Sequence, residues 1–250
     1  MRRHRTVLFD LDDTLFDHRH ANVFALTRLR ELHPSFQRVD PETLERRYMG
    51  LLDQIFPRVL SGEITIQESR RLRFHRLLEE YGGSEAAEDA TSVAAEYIQH
   101  YRDNWRPVPG ALELLDALRS HVRIGIITNG IISEQSDKIR FCDFGPRLDA
   151  VVISEEAGLS KPDPAIFRLA LARLDTSAEE AVMVGNSWED DMVGARDAGL
   201  SAVWMNRYGG DCPDPDLAHE IGALEPVEEV ASLILERGHP GGEHDEEVAS

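Results

Sequence analysis

The stretch TVLFDLDDTL, from Thr6 to Leu15, decides the fold. Its first half, Thr6–Asp10, is a short run of β-branched and apolar residues ending in an acid, the pattern of a strand buried on both faces. Its second half sets Asp10 and Asp12 two residues apart at the strand exit. For both carboxylates to reach one site the chain must turn there. Two acids held that close resist joint ionisation unless a cation lies between them, and a hard, oxygen-seeking ion such as Mg2+ fits that need.

Outward from this stretch, four more apolar runs follow: Val122–Thr128, Ala150–Ser154, Ala181–Gly185 and Ala202–Met205. Near-continuous apolar strands of this length suit a parallel sheet covered on both faces. Helical patterns separate them, over Ala111–Arg119, Pro164–Leu174, Glu189–Ala198 and Val227–Arg237. Strands alternating with helices from residue 107 onward predict an α/β fold, a doubly wound, Rossmann-like parallel sheet. Residues 18–106 break the rhythm, with no strand run and helical stretches over Asn22–Leu32, Pro41–Leu60, Ile66–Tyr81 and Glu85–Trp105. The expected organisation is a core of residues 1–17 and 107–238 with an all-α domain, 18–106, inserted after the first strand. That insertion point is the carboxyl edge of the sheet, where ligands bind and where an insert can serve as a lid.

Composition narrows the partners. The 250 residues carry 27 Lys and Arg against 46 Asp and Glu, a formal charge of −19. Such a surface repels phosphate backbones and anionic lipid, which argues against nucleic acid and membranes, and no apolar run is long enough to span a bilayer. The acid is concentrated from Asp211 onward, and residues 239–250 are expected to form a disordered acidic tail whose His239 and His244 are plain polar residues. Cys142 and Cys212 form no C-x-x-C pair and read as reduced thiols, and the N-terminus has no signal-peptide pattern, so a cytoplasmic protein is expected, as a monomer or homodimer. Only two of the 27 basic residues are lysines, Lys138 and Lys161, and each invites the question of why arginine was not used.

Four polar features fall at predicted strand ends, in order, on one edge of the sheet. They are Asp10–Thr14; Thr128-Asn129-Gly130, a hydroxyl with exposed N–H groups suited to an anion; Lys161-Pro162-Asp163-Pro164, a cation fixed by the prolines beside it; and Gly185–Asp191, an N-cap followed by acids. Each alone is an ordinary turn. Together, through VLFDLDDTL, IITNG, GLSKPDPAIF and VGNSWEDDMVGARDAGLSAVW, they resemble the haloacid dehalogenase superfamily of phosphohydrolases over Arg5–Arg207. The helical insert resembles that family's helical cap.

The resemblance implies Asp10 as the nucleophile that takes the phosphoryl group, and Asp12 as general acid/base, its backbone carbonyl on Mg2+. It further implies Thr14 as a brace for the turn, Thr128 and Asn129 holding phosphate oxygens, and Lys161 neutralising charge on nucleophile and phosphate. The implied metal set is Asp10, Asp12, Asn186 and Asp191. Asp191 would orient Lys161 or a metal-bound water, and Asp190 could substitute for it. Position 186 is Asn where the family often has Asp, which predicts weaker Mg2+ binding. The expected activity is Mg2+-dependent hydrolysis of a small phosphate monoester, a nucleoside 5′-monophosphate first, with phosphoglycolate or a sugar phosphate as alternatives. A phosphomutase, a carbon–halogen hydrolase and a silent binding protein rank below, the dehalogenase because that chemistry needs no second acid at Asp12. Among lesser candidates, His18 and His20 read as loop residues beside the insert, while Trp105 and Trp188 could stack a base or pack.

Overall fold

A computed structural model describes residues 4–83 and 85–236, so the expected tail, 239–250, lies outside the described residues. The chain divides into two compact units, Met1–Phe16 with Pro107–Ser250, and Asp17–Arg106.

In the first unit six parallel strands are described: β1 (Thr6–Phe9), β2 (Arg123–Thr128), β3 (Ala150–Ile153), β4 (Ala181–Gly185), β5 (Ser201–Met205) and β6 (His219–Ile221), in the order β3-β2-β1-β4-β5-β6. The expected α/β sheet is present. The sixth strand was not foreseen, because three residues with a partly exposed His219 and an exposed Glu220 carry no apolar run. β1 is central, paired with β2 through Thr6↔Arg123 and with β4 through Thr6↔Ala181. All four of its residues are buried, as the uninterrupted apolar run requires. After β3 the chain crosses back over β1 to form β4. The strand order therefore reverses at β1, and the crevice of an open sheet lies at the carboxyl ends there.

The second unit is helical: α1 (His18–Leu32), α2 (Pro34–Gln37), α3 (Pro41–Leu60), α4 (Ile66–Gly82) and α5 (Ala90–Asp103). The sequence sets the starts of two of these. Asp40 accepts from Thr43 N at the head of α3, and Thr65 with Glu68 forms a reciprocal capping box on α4. Its interior is aromatic, with Tyr48, Phe74 and Tyr97 buried against one another. His18 bonds Tyr101 Oη through Nδ1 at 2.7 Å, so it is part of this interior rather than a loop residue. The two ends of the unit are tied together by Arg106, which donates to Asp17 Oδ2 from Nε (2.9 Å) and Nη2 (2.8 Å).

Helices α6 (Ala111–Leu118), α7 (Ile132–Phe141), α8 (Ser154–Ala157), α9 (Pro164–Arg173), α10 (Gly194–Ala198) and α11 (Val227–Leu235) complete the first unit. The expected helix over 189–198 begins as a wide π-type turn, Trp188–Val193, and becomes α-helical only at Gly194. α7 was not foreseen. Its buried residues are Gln135, Lys138 and Ile139, so its inner face is two-thirds polar and the apolar period that betrays a helix is missing.

The chain turns tightly after β1. Leu15 N and Phe16 N both donate to Leu11 O, and Asp13 N to Phe16 O. Asp13 takes the left-handed conformation, φ 61°, that lets the chain double back. Asp tolerates that region and glycine prefers it, whereas a β-branched residue does not. Asp13→Val should therefore lower stability by about 1–3 kcal/mol, while Asp13→Gly should be tolerated, as read by urea denaturation with an unchanged m-value.

Candidate active site

The carboxyl ends of three neighbouring strands, β2, β1 and β4, bring the four sequence features together. Asp10 follows β1 and is anchored by its own N–H, which donates to Val184 O on β4 at 2.9 Å. Lys161, from the loop before α9, reaches into the same place. Its Nζ lies 2.6 Å from Asp10 Oδ1 and 2.6 Å from Asp191 Oδ1. All three side chains are at least nine-tenths buried. The Lys161–Pro162 peptide is cis.

Backbone contacts fix this triad. Asn129 accepts from Lys161 N (2.9 Å) through Oδ1 and donates to Lys161 O (3.0 Å) through Nδ2. The Asn129 amide thus clamps the lysine's main chain. Asp191 turns back across the π-type turn to accept from Ser187 N at 2.9 Å through Oδ2. It can do so because residue 185 is glycine: a Cβ there would lie 2.2 Å from Asp191 Oδ2. Both oxygens of Asp191 are engaged, Oδ1 by Lys161 and Oδ2 by Ser187. Asp190, half-buried, hydrogen-bonds the Asn129 side chain, and burial raises its pKa.

Thr14 is buried with its Oγ1 3.2 Å from Asp10 Oδ2 and 3.4 Å from Asn186 Oδ1. One hydroxyl proton cannot serve both, so two oxygens bearing lone pairs converge on a single donor. That is a setting for a hard cation with oxygen ligands, and it brings Asp10 and Asn186 to one point. Among the described residues no three His, Cys, Asp or Glu side chains group as a metal cage. The Asp10 carboxylate and the Asn186 amide are oxygen donors of the kind a hard cation takes.

The charge count points the same way. Two buried carboxylates share one ammonium, leaving one negative charge in excess. Burial pushes the Asp10 carboxyl up to about 7 despite Lys161, and Asp191 adds to the rise. Burial works against the Lys161 ammonium, but Asp10 and Asp191 outweigh it and hold its pKa above the ordinary range. Such a buried ion cluster is a poor source of stability, and strongly shifted groups in a crevice are the mark of a reactive centre.

Two polar residues of the site were missed. Asp12 meets Lys138 Nζ (2.6 Å to Oδ1) and Gln135 Nε2 (3.0 Å to Oδ2), and Gln135 also donates to the buried Thr128 Oγ1 at 2.5 Å. The rarity of lysine in the chain was the signal for Lys138; Gln135 carried none. Trp188, partly buried, packs edge-on against Trp204 of the apolar core, centroids 5.1 Å apart, which gives it a packing role. Trp105 lies edge-on to Tyr101 in the helical unit.

Comparison with known proteins agrees with this picture. Residues 4–199 match the family model for haloacid dehalogenase-like hydrolases. Ribulose-1,5-bisphosphate 5-phosphatase of Halopiger xanaduensis is 36% identical, over 79% of this chain and 82% of its own length. Pyrimidine 5′-nucleotidase YjjG of Escherichia coli is 27% identical, over 83% of this chain and 88% of its own. The magnesium-bound crystal structure of the HAD-hydrolase YfnB from Bacillus subtilis superposes with a TM-score of 0.74 at 28% identity, covering 93% of this chain and 99% of that one.

The raised Asp10 pKa has a consequence for stability. The folded chain binds a proton at Asp10 that the unfolded chain releases near 3.8, so in the metal-free protein this stabilisation is full below pH 3.8 and is lost as pH rises to about 7. Asp10→Asn removes the buried excess charge. In chelator, it should raise the melting midpoint at pH 8 by more than about 2 °C, the shift of roughly 1 kcal/mol in a chain of this size, and leave it unchanged at pH 4. Calorimetry at the two pH values checks the difference.

Proposed function

The chain belongs to the haloacid dehalogenase-like hydrolases, and from that premise we propose that it hydrolyses a small phosphate monoester with magnesium, by way of a phosphoryl group carried on Asp10. The observation that carries this reading is the position of Lys161 Nζ, 2.6 Å from both Asp10 and Asp191 in a buried crevice. It places one fixed cation against the carboxylate that would attack phosphorus.

The residues divide the work as follows. Asp10 attacks phosphorus, and the bond from phosphorus to the substrate oxygen breaks. Asp12 gives its proton to that oxygen, so the alcohol leaves neutral. Asp12 then takes a proton from a water whose oxygen bonds phosphorus, the acyl phosphate bond opens, and Asp10 is regenerated as inorganic phosphate departs. The three equatorial oxygens carry the charge of the transition state, and Lys161 and the Thr128 hydroxyl are placed to meet them. Asn129 and Asp191 act on the lysine, from its main chain and its ammonium. The Asp10 carboxylate, the Asp12 carbonyl and the Asn186 amide would hold the magnesium. Bound there, it supplies charge neutralisation for phosphate and carboxylate.

For the substrate we take a nucleoside 5′-monophosphate first, a reading supported by the Escherichia coli relative, with sugar phosphates next, supported by the Halopiger relative. Carbon–halogen hydrolysis stands behind both, since it leaves Asp12 and its contacts without a task. A screen of nucleotides, sugar phosphates and phosphoglycolate ranks them.

Two outcomes test the reading. p-Nitrophenyl phosphate should be hydrolysed with Mg2+ and not in chelator; Asp10→Asn should be inactive, and Lys161→Met should lose at least about 10²-fold in kcat, the effect of removing one preorganised donor. An active Asp10→Asn enzyme overturns the proposal. Separately, Asn186→Asp should lower the Mg2+ concentration for half-maximal rate, because a carboxylate binds a hard cation more tightly than an amide; no change would count against Asn186 as a ligand.

A further inference from the structure

Asp12 makes none of the contacts to Lys161 that Asp10 and Asp191 make. Its carboxylate is taken by α7. Lys138 Nζ lies 2.6 Å from Oδ1 and 2.9 Å from Oδ2, and Gln135 Nε2 lies 3.0 Å from Oδ2. Three residues apart, Lys138 and Gln135 share one face of the helix. Both are buried, although the Asp12 side chain itself is 29% exposed. Lys138 rests on the Phe16 ring, 5.1 Å from its centroid. The same Gln135 amide nitrogen lies 2.5 Å from Thr128 Oγ1.

We propose that Lys138 is a positioning residue for Asp12: it meets both carboxylate oxygens while Gln135 meets one, so together they select one orientation, and Gln135 ties that orientation to the Thr128 hydroxyl. This rests on the phosphatase reading, in which Asp12 moves the proton of the leaving alcohol. Three physical points support it. The terminal torsion of an aspartate is soft, so a partly exposed carboxylate on a turn is held only by its partners. Packing on Phe16 alone would be met by an apolar side chain, whereas burying an ammonium is costly unless it has an ion to meet. The contact engages both oxygens of Asp12, which fixes rotation as well as position.

The consequence falls on one bond. When phosphorus passes to Asp10, the electron pair of the breaking phosphorus–oxygen bond stays on the substrate oxygen, which needs the Asp12 proton only if it leaves as a strong base. kcat/KM reports the steps through this departure. Phenyl phosphate, with its basic leaving group, should therefore feel a misplaced Asp12, and p-nitrophenyl phosphate should feel it far less.

With wild type, Asp10→Asn, Lys138→Met and Lys138→Arg compared in Mg2+, Lys138→Met should lower kcat/KM for phenyl phosphate by about 10-fold or more, part of the roughly 10²–10⁴-fold that a placed acid contributes. The fall for p-nitrophenyl phosphate should be several-fold smaller, and Lys138→Arg should restore part of the loss. Far-UV circular dichroism and the melting midpoint establish folding; if the methionine variant does not fold, Lys138→Gln is read by the same criterion. Equal losses on the two substrates, or none, overturn the inference. If wild type is active and Asp10→Asn is not, that failure leaves the phosphatase reading standing. A wild-type chain inert toward both esters removes the two together.

Discussion

An ammonium held 2.6 Å from each of two buried carboxylates is the interaction on which the rest of the site depends. Desolvating three charges is costly, and an apolar cluster of the same volume is often the more stable choice. The surrounding structure accordingly constrains each member of the triad through a separate element. The β4 carbonyl of Val184 holds Asp10, the Asn129 amide holds the main chain of Lys161, and Ser187 N–H holds Asp191. The missing Cβ at Gly185 makes the last of these possible. The parallel sheet supplies what none of these contacts could: strand ends in fixed register, with β1 between β2 and β4. The excess negative charge that remains is the local reason for a cation.

How much of this could be read from sequence follows from where the information resides. Buried parallel strands announce themselves as apolar runs, so five strands were found close to their observed positions. Their carboxyl ends then located Asp10, Thr128, Lys161 and Asn186 without any knowledge of the contacts. What could not be read is what a polar side chain does with its hydrogen bonds. Asn129 has the composition of a phosphate ligand, and its use as a clamp on Lys161 depends on a loop 32 residues away. α7 was invisible for the same reason in another form. A helix whose buried face is Gln135 and Lys138 with Ile139 shows no hydrophobic period, because two of those three residues serve Asp12 and Thr128 rather than the core. For Trp188, an aromatic inside a polar motif, the sequence left stacking and packing both open, and its contact with the core residue Trp204 shows the packing.

The choice of lysine at two positions follows from geometry. A guanidinium presents a planar fork suited to meeting one carboxylate with two parallel bonds, as Arg106 does at the Asp17 carboxylate. At position 161 one nitrogen must meet two carboxylates, one just after β1 and one in the turn after β4, at equal distance, and a compact ammonium with three rotatable donors does that. At position 138 the nitrogen must straddle both oxygens of Asp12 while resting on Phe16. In a chain whose other 25 basic residues are arginines, both lysines stand where a point charge is needed and a fork is not.

The same charges bear on how an anionic substrate could be captured by a protein of formal charge −19. At long range the two repel, but the repulsion fades beyond a Debye length of about 8 Å at physiological ionic strength. Steering by the global field therefore cannot supply affinity, and capture must come from contacts within a few ångströms: the buried Lys161, the N–H groups after β2, and the cation that the Asp10 excess charge invites. Each of these is shielded from salt by burial, so raising ionic strength weakens the repulsion of approach more than the attraction at contact. For a basic protein binding phosphate the balance runs the other way. An acidic surface around a buried cationic point thus disfavours polyanions, which must lie across the surface, far more than a small monoester that enters the crevice. The charge distribution of the chain and the size class of its proposed substrate are in that sense one constraint.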